Sequence, residues 1–255
     1  MAKEGQFSFR TRYQSMLDAM LGIFYPPICQ WCSKYGALAD HGFICNECLQ
    51  SPGFFQLIGA DCCARCGLPF EGELSSPFEC SNCRGLSLGF EWAKSVYVAT
   101  PDVLKLIGRY KYGGEIWFER LIASRFAQVA GESLVATDWD GIVPVPLYSV
   151  RKRERGFNQA EQLAMVLGEK VGVKVMTNIL KRTTPTQTQT RFGRKSRMKN
   201  VAHAFEVTSG VSVLGQKLVL VDDVLTTGAT TSSCAFVLKR AGAAKIVVWT
   251  FARGR

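Results

Sequence analysis

The segment LVLVDDVLTTGATT, Leu218 to Thr231, runs an unbroken apolar stretch into two adjacent acids and then into a turn of threonine and glycine. An apolar run of this length, bounded by a turn, fits a strand buried on both faces, as in parallel sheets covered by helices. The residues after the turn keep helical spacing until Lys239, Arg240 and Gly242, two cations and a glycine suited to a helix C-terminus. Strand, turn and helix follow in that order. Open α/β sheets bind ligands at the carboxyl ends of their strands, and a helix N-terminus offers unpaired N–H groups to a phosphate. Thr226, Thr227, Gly228, Ala229 and Thr230 therefore read as a monophosphate cradle, with hydroxyl donors and a glycine that permits close backbone approach. Asp222 and Asp223 would repel that phosphate, so they must address another part of the ligand. Vicinal ribose hydroxyls fit, because an ionised carboxylate only accepts hydrogen bonds and a diol donates two. A plainer reading, with Asp223 as a helix cap and the threonines as turn residues, accounts for one residue of the group and not for the arrangement. Neither a G-x-x-x-x-G-K-[ST] loop nor a G-x-G-x-x-G turn is present.

Working outward, apolar runs of strand length alternate with helix-period segments from about Trp92 onward. Strands are predicted at 95–100, 140–146, 173–176, 217–223 and 245–252, and helices near 115–130, 158–170 and 229–241. This pattern predicts an α/β domain over 91–255, built on a Rossmann-like parallel sheet. After the strand at 140–146, the segment RKRER places Arg151, Arg153 and Arg155 on a predicted turn, ahead of a helix opened by Asn158. Guanidinium groups there could pair pyrophosphate oxygens in bidentate fashion. Gly156 would allow the sharp turn, and Phe157 reads as a core plug.

The chain carries a formal charge of +10, and all of it lies in two places: residues 151–155 and the segment 181–200, KRTTPTQTQTRFGRKSRMKN, which has no acid. Two basic stretches flanking one anion site point to a polyanionic ligand. The same cations, with Phe192 among them, could also track single-stranded nucleic acid through phosphates and stacking.

Nine of the ten cysteines lie between Cys29 and Cys83. Cys29/Cys32 and Cys45/Cys48 form one double pair, and Cys63/Cys66 and Cys80/Cys83 another. Four thiolates per site suit tetrahedral zinc, so two structural zinc sites are predicted in a double zinc ribbon over 28–90. Sequential ligation is expected, although a cross-braced pairing of 29/32 with 63/66 fits the spacing too. Cys234 reads as a core residue, Cys62 as a leftover, and His41 as a surface residue. A module this poor in aliphatics would draw its folding energy from the metals.

The 255 residues, 47% hydrophobic, suffice for one large core and a smaller module. Residues 1–27 read as a lead-in helix stopped by Pro26-Pro27. No segment has the form of a secretory signal or the length of a membrane span, so a cytoplasmic protein is expected.

The strand-and-turn motif resembles the 5-phosphoribosyl 1-pyrophosphate (PRPP) motif of type I phosphoribosyltransferases. VPVPLYSVRKRERGFNQA at 143–160, TQTRFGRKSRMKNVAHAF at 188–205 and the cysteine pairs extend the likeness over nearly the whole chain, to the ComF/GntX family associated with natural competence. The resemblance implies a type I phosphoribosyltransferase fold behind a double zinc ribbon. In it, Asp222 and Asp223 hold the ribose hydroxyls, 226–230 hold the 5-phosphate, and magnesium bridges the pyrophosphate. It also implies that the arginine loop lies near the pyrophosphate and that 181–200 closes over it, with Gln189, Arg197 and Asn200 at family positions. It further implies a link to single-stranded DNA uptake and its machinery. The sequence shows no positioned general base and no nucleobase pocket. Phosphoribosyl transfer to some acceptor, PRPP binding without turnover, and non-enzymatic binding of single-stranded DNA by the zinc ribbon all stay open at this point.

Overall fold

The computed structural model describes residues 28–135, 138–184 and 204–254. The predicted lead-in helix, and Gln189, Phe192, Arg197 and Asn200, lie outside them. The chain divides into two compact units, one ending at Ser51 and the other beginning at Pro52. In the first, β1 (Ala37–Leu38) and β2 (Ile44–Cys45) form a short antiparallel hairpin, followed by α1 (Asn46–Leu49). Gly42, left-handed at φ 61°, makes the hairpin turn, and its N–H donates to Ala39 O at 3.0 Å.

The second unit opens with the turns that carry Cys63 to Cys83 and continues into the sheet. Its elements are β3 (Ala93–Val98), α2 (Pro101–Tyr112), α3 (Phe118–Leu134), β4 (Gly141–Pro144), α4 (Ser149–Arg155) and α5 (Gln159–Val171). Then come β5 (Leu180–Arg182), β6 (Phe205–Val207), β7 (Lys217–Leu225), α6 (Ala229–Arg240) and β8 (Lys245–Arg253). The sheet has the order β3-β8-β7-β4, and every pair is parallel. Leu218 to Val221 and Ile246 to Val248 are fully buried, as strands covered on both faces require. Side chains alternate across a strand. Leu218 and Leu220 accordingly share a core with Ile246, Val248, Cys234 and Leu238. Asp223 and Phe251 lie on the other face, beside Tyr110 of α2, Ile122 of α3 and Leu163 of α5.

The second cysteine set packs into that first core, together with Leu88, Phe90 and Ala235. The weld is close: a Cβ on Gly89 would come within 2.5 Å of Phe236 N and 2.8 Å of Ser232 O on α6. Only the first set, Cys29 to Cys48, lies in the unit that ends at Ser51.

Two sequence expectations need correction, and one helix was not predicted. The predicted strand at 173–176 is a single bridge, Val175 to Ile142, since this stretch pairs only along the outer edge of β4. Residues 101–112 form a helix, α2, with Thr100 as cap, its hydroxyl accepting from Val103 N at 3.2 Å, and proline at the first turn. The predicted arginine turn is the helix α4, because Arg, Lys and Glu are good helix formers and nothing breaks the chain before Gly156, which ends it left-handed at φ 80°. Asn158 does open α5, accepting from Ala160 N at 3.2 Å. Its side-chain amide also donates to Val145 O at 3.0 Å, which ties the helix to the end of β4.

Candidate functional site

The carboxyl end of β7 carries the acids, and strand alternation sends them to opposite faces. Asp222 lies on the α6 side, where Cys234 and Arg182 are its charged or titratable neighbours. Asp223 forms an ion pair with Lys111, from the last turn of α2. The backbone N–H of Asp223 donates to Asp222 Oδ1 at 2.9 Å. Burial and the charge of Asp223 push the Asp222 carboxyl up to about 7, against the opposing pull of that N–H, Lys111 and Arg182. One acid of the pair is thus poised to change charge near neutrality.

The turn follows at once. Gly228 is left-handed at φ 75°, a conformation that favours glycine, and it leads directly into α6. Thr227 Oγ1 accepts from Ala229 N at 3.4 Å, and Thr231 Oγ1 donates to Gly228 O at 3.2 Å. Thr226 is exposed, while Thr227, Gly228 and Thr230 are half-buried. The five predicted cradle residues therefore occupy one strand-to-helix turn.

The helical form of α4 sorts its arginines. Residues four apart share a helix face and residues two apart do not. Arg151 and Arg155, with Lys111, Tyr112 and Glu154, line a cavity of about 320 Å³, and Arg153 does not line it. The Arg155 guanidinium lies 5.0 Å over the Tyr112 ring and donates to Gln159 Oε1 at 2.5 Å. Lys111 links this cavity to Asp223. Sequence reading missed Lys111 and Tyr112, because nothing local marks the end of α2 as part of a site at the end of β7.

The cysteines gather sequentially, Cys29/Cys32/Cys45/Cys48 and Cys63/Cys66/Cys80/Cys83, with all sulfurs of a set within 4.8 Å of one another. A tetrahedron with metal–sulfur bonds of about 2.3 Å has sulfur–sulfur edges of about 3.8 Å. The structure gives 3.9 Å for Cys29 to Cys48, 3.7 Å for Cys32 to Cys45 and 3.6 Å for Cys66 to Cys80. Backbone N–H groups point at the sulfurs in both sets, from Cys45 to Cys29 Sγ and from Cys80 to Cys63 Sγ, each at 3.3 Å. Both sets fit zinc, and the cross-braced pairing does not occur. Cys234 is buried in the core and belongs to neither set.

A parallel sheet whose central strand ends in two acids and a Thr/Gly turn, behind two four-cysteine knuckles, defines the class: a type I phosphoribosyltransferase fold with an N-terminal double zinc ribbon. Within that class the chain belongs to the ComF/GntX family of competence-associated proteins. It is 30% identical over 224 residues to Competence protein F of Haemophilus influenzae, covering 81% of this chain and 96% of the relative. It is 33% identical over 233 residues to DNA utilization protein YhgH of Salmonella typhi, covering 89% and 97%. Residues 20–84 match the double zinc ribbon domain. Among solved structures, glutamine PRPP amidotransferase from B. subtilis, complexed with ADP and GMP, superposes with a TM-score of 0.36 at 20% identity, over 51% of this chain and 26% of that one. An adenine phosphoribosyltransferase superposes with a TM-score of 0.37 at 15% identity, over 58% and 75%. Superpositions this loose carry no argument about the site. Among the described residues, no helix is long and apolar enough to cross a membrane.

Proposed function

We propose that this phosphoribosyltransferase-like competence protein binds PRPP at the carboxyl end of β7. The observation that carries the reading is the junction of three chemistries at one sheet edge. Asp222 and Asp223 are acceptors for ribose hydroxyls, the Thr226–Thr230 turn at the start of α6 suits a 5-phosphate, and Lys111, Arg151 and Arg155 supply positive charge for a pyrophosphate. Magnesium, when bound with the ligand, would neutralise pyrophosphate charge. Asp222 must lose its proton to accept from both hydroxyls of a diol, and Lys111 must share Asp223 with the ligand. The reading covers the donor substrate and assigns no acceptor. Calorimetry with PRPP and magnesium tests it: the wild-type chain should bind, and Asp222→Asn/Asp223→Asn should not. Absence of wild-type binding, or equal binding by the double variant, refutes it.

A second reading has its own observation. Tyr112 is 74% exposed, stacked by Arg155, and set among Lys111 and Arg151, a combination that can hold a base face and its phosphates. Its support includes the names of the relatives, a competence protein and DNA utilization proteins. Single-stranded DNA, passed on by DNA-uptake machinery, is the ligand this reading proposes. Fluorescence anisotropy should show binding that falls steeply with salt and weakens in Tyr112→Ala; salt-insensitive binding refutes it.

A further inference from the structure

Arg253, the last residue of β8, is 2% exposed, and each of its three guanidinium nitrogens donates a hydrogen bond. Nε donates to Cys66 O at 2.9 Å, and Nη2 donates to Cys66 Sγ at 3.3 Å. Nη1 donates to Leu225 O at 3.0 Å, to Thr226 O at 2.6 Å and to Gly254 O. Among the described residues no carboxylate pairs with this buried cation. A buried guanidinium without a counter-charge is strongly disfavoured. The second cysteine set supplies one, because four thiolates around a divalent metal leave two negative charges. The same guanidinium grips the carbonyls of Leu225 and Thr226, where β7 passes into the turn that ends at Gly228. Its planar fork can hold both sets of acceptors at once, which a lysine cannot.

We infer that Arg253 is a positioning residue that ties the Cys63/Cys66/Cys80/Cys83 metal site to the shape of the Thr226–Thr230 turn, so that loss of metal there loosens the turn. The link is short and contiguous, running from Cys66 Sγ through one guanidinium to Thr226 O. A second contact follows the same direction, since Phe90, beyond the knuckle, reaches to within 3.9 Å of where a Cβ on Gly228 would sit. The consequence for ligand binding rests on the reading of this turn as a phosphate cradle; the coupling itself does not.

The full chain loaded with two zinc ions tests this with two readouts, zinc release to a chromogenic chelator and hydrogen exchange of the amides of 226–230. Arg253→Gln should speed release of one of the two ions by about tenfold or more, the usual effect of losing an outer-shell partner. It should speed exchange in the turn by a similar factor and leave exchange in β1 and β2 unchanged. If Arg253→Gln does not fold, Arg253→Lys, which keeps the charge and loses the fork, is read in the same way. Turn amides that exchange at the wild-type rate in a folded variant overturn the inference, whether or not zinc leaves faster. PRPP titration of the wild type separates the two readings. No wild-type binding, with a loosened turn in the variant, defeats the cradle and keeps the coupling. Wild-type binding with an unchanged turn in the variant defeats the coupling alone.

Discussion

Replacing Asp222 by asparagine should stabilise the protein at neutral pH while abolishing ligand binding. The Asp222 carboxyl ionises near 3.8 in an unfolded chain and at about 7 in the folded one, raised first by burial and then by the charge of Asp223. Between those values the folded chain keeps a proton that the unfolded chain has released, so stability falls as pH rises through this window and is level above it. The full cost above pH 7 is on the order of 4 kcal/mol, and the share lost between pH 5.5 and 8 is about 2 kcal/mol. Asparagine pays neither cost and keeps an oxygen to accept from Asp223 N, where the aspartate accepts at 2.9 Å. Urea unfolding of the zinc-loaded protein can be followed by tryptophan fluorescence, because Trp92, Trp117, Trp139 and Trp249 all lie in the unit that begins at Pro52. The variant should exceed wild type at pH 8, and its advantage should shrink by about 2 kcal/mol at pH 5.5. Titrating groups that do not interact with Asp222 cancel in this double difference. A difference between the two proteins that does not change with pH would refute the reasoning.

The same carboxyl should give up its proton when a diol binds, so PRPP binding below pH 7 should show a calorimetric enthalpy that varies with the ionisation enthalpy of the buffer. Gly89→Ala should cost at least about 2 kcal/mol, because its methyl would meet backbone atoms of α6 that cannot yield, and the loss should appear in denaturant midpoints. Cys63→Ser should lower the unfolding midpoint of the sheet-bearing unit, whereas Cys29→Ser should leave that midpoint unchanged; metal analysis should show about one zinc lost per chain in each. Asn158→Ala should cost about 1–2 kcal/mol, since it loses both a helix cap and the bond to Val145 O.

The centre of the fold was readable because its signals are local. The apolar run of β7, bounded by its turn, fits a strand buried on both faces, and the cysteine spacing carries the signature of four-thiolate metal sites. The Asn158 cap and the Thr/Gly turn follow from residues within a few positions of one another, whereas the cysteine spacing fits two ligation schemes and the fold selects the sequential one. The α4 helix was hidden because a run of charged side chains has no apolar period to betray it, and only the helix decides that Arg151 and Arg155 face one cavity while Arg153 does not. Lys111 and Arg253 were invisible for a different reason. Their partners, Asp223 and Cys66, are brought to them by tertiary packing, and in the second case the contact spans 187 residues of sequence. The opposite facing of the two acids follows from strand alternation and could have been drawn from the sequence.

The duplicated cysteine pattern looks like one interchangeable cassette, yet its halves have different fates under deletion. The first half ends where a compact unit ends, and a chain beginning at Pro52 would keep the whole sheet, the acid pair and the turn. A chain cut at residue 90, the boundary that composition suggests, would strip the lining from Cys234, Ala235 and Leu238 and leave Arg253 a buried cation with no counter-charge. Shortening the chain should therefore be better tolerated at the first knuckle than at the second, which shares its core with the sheet.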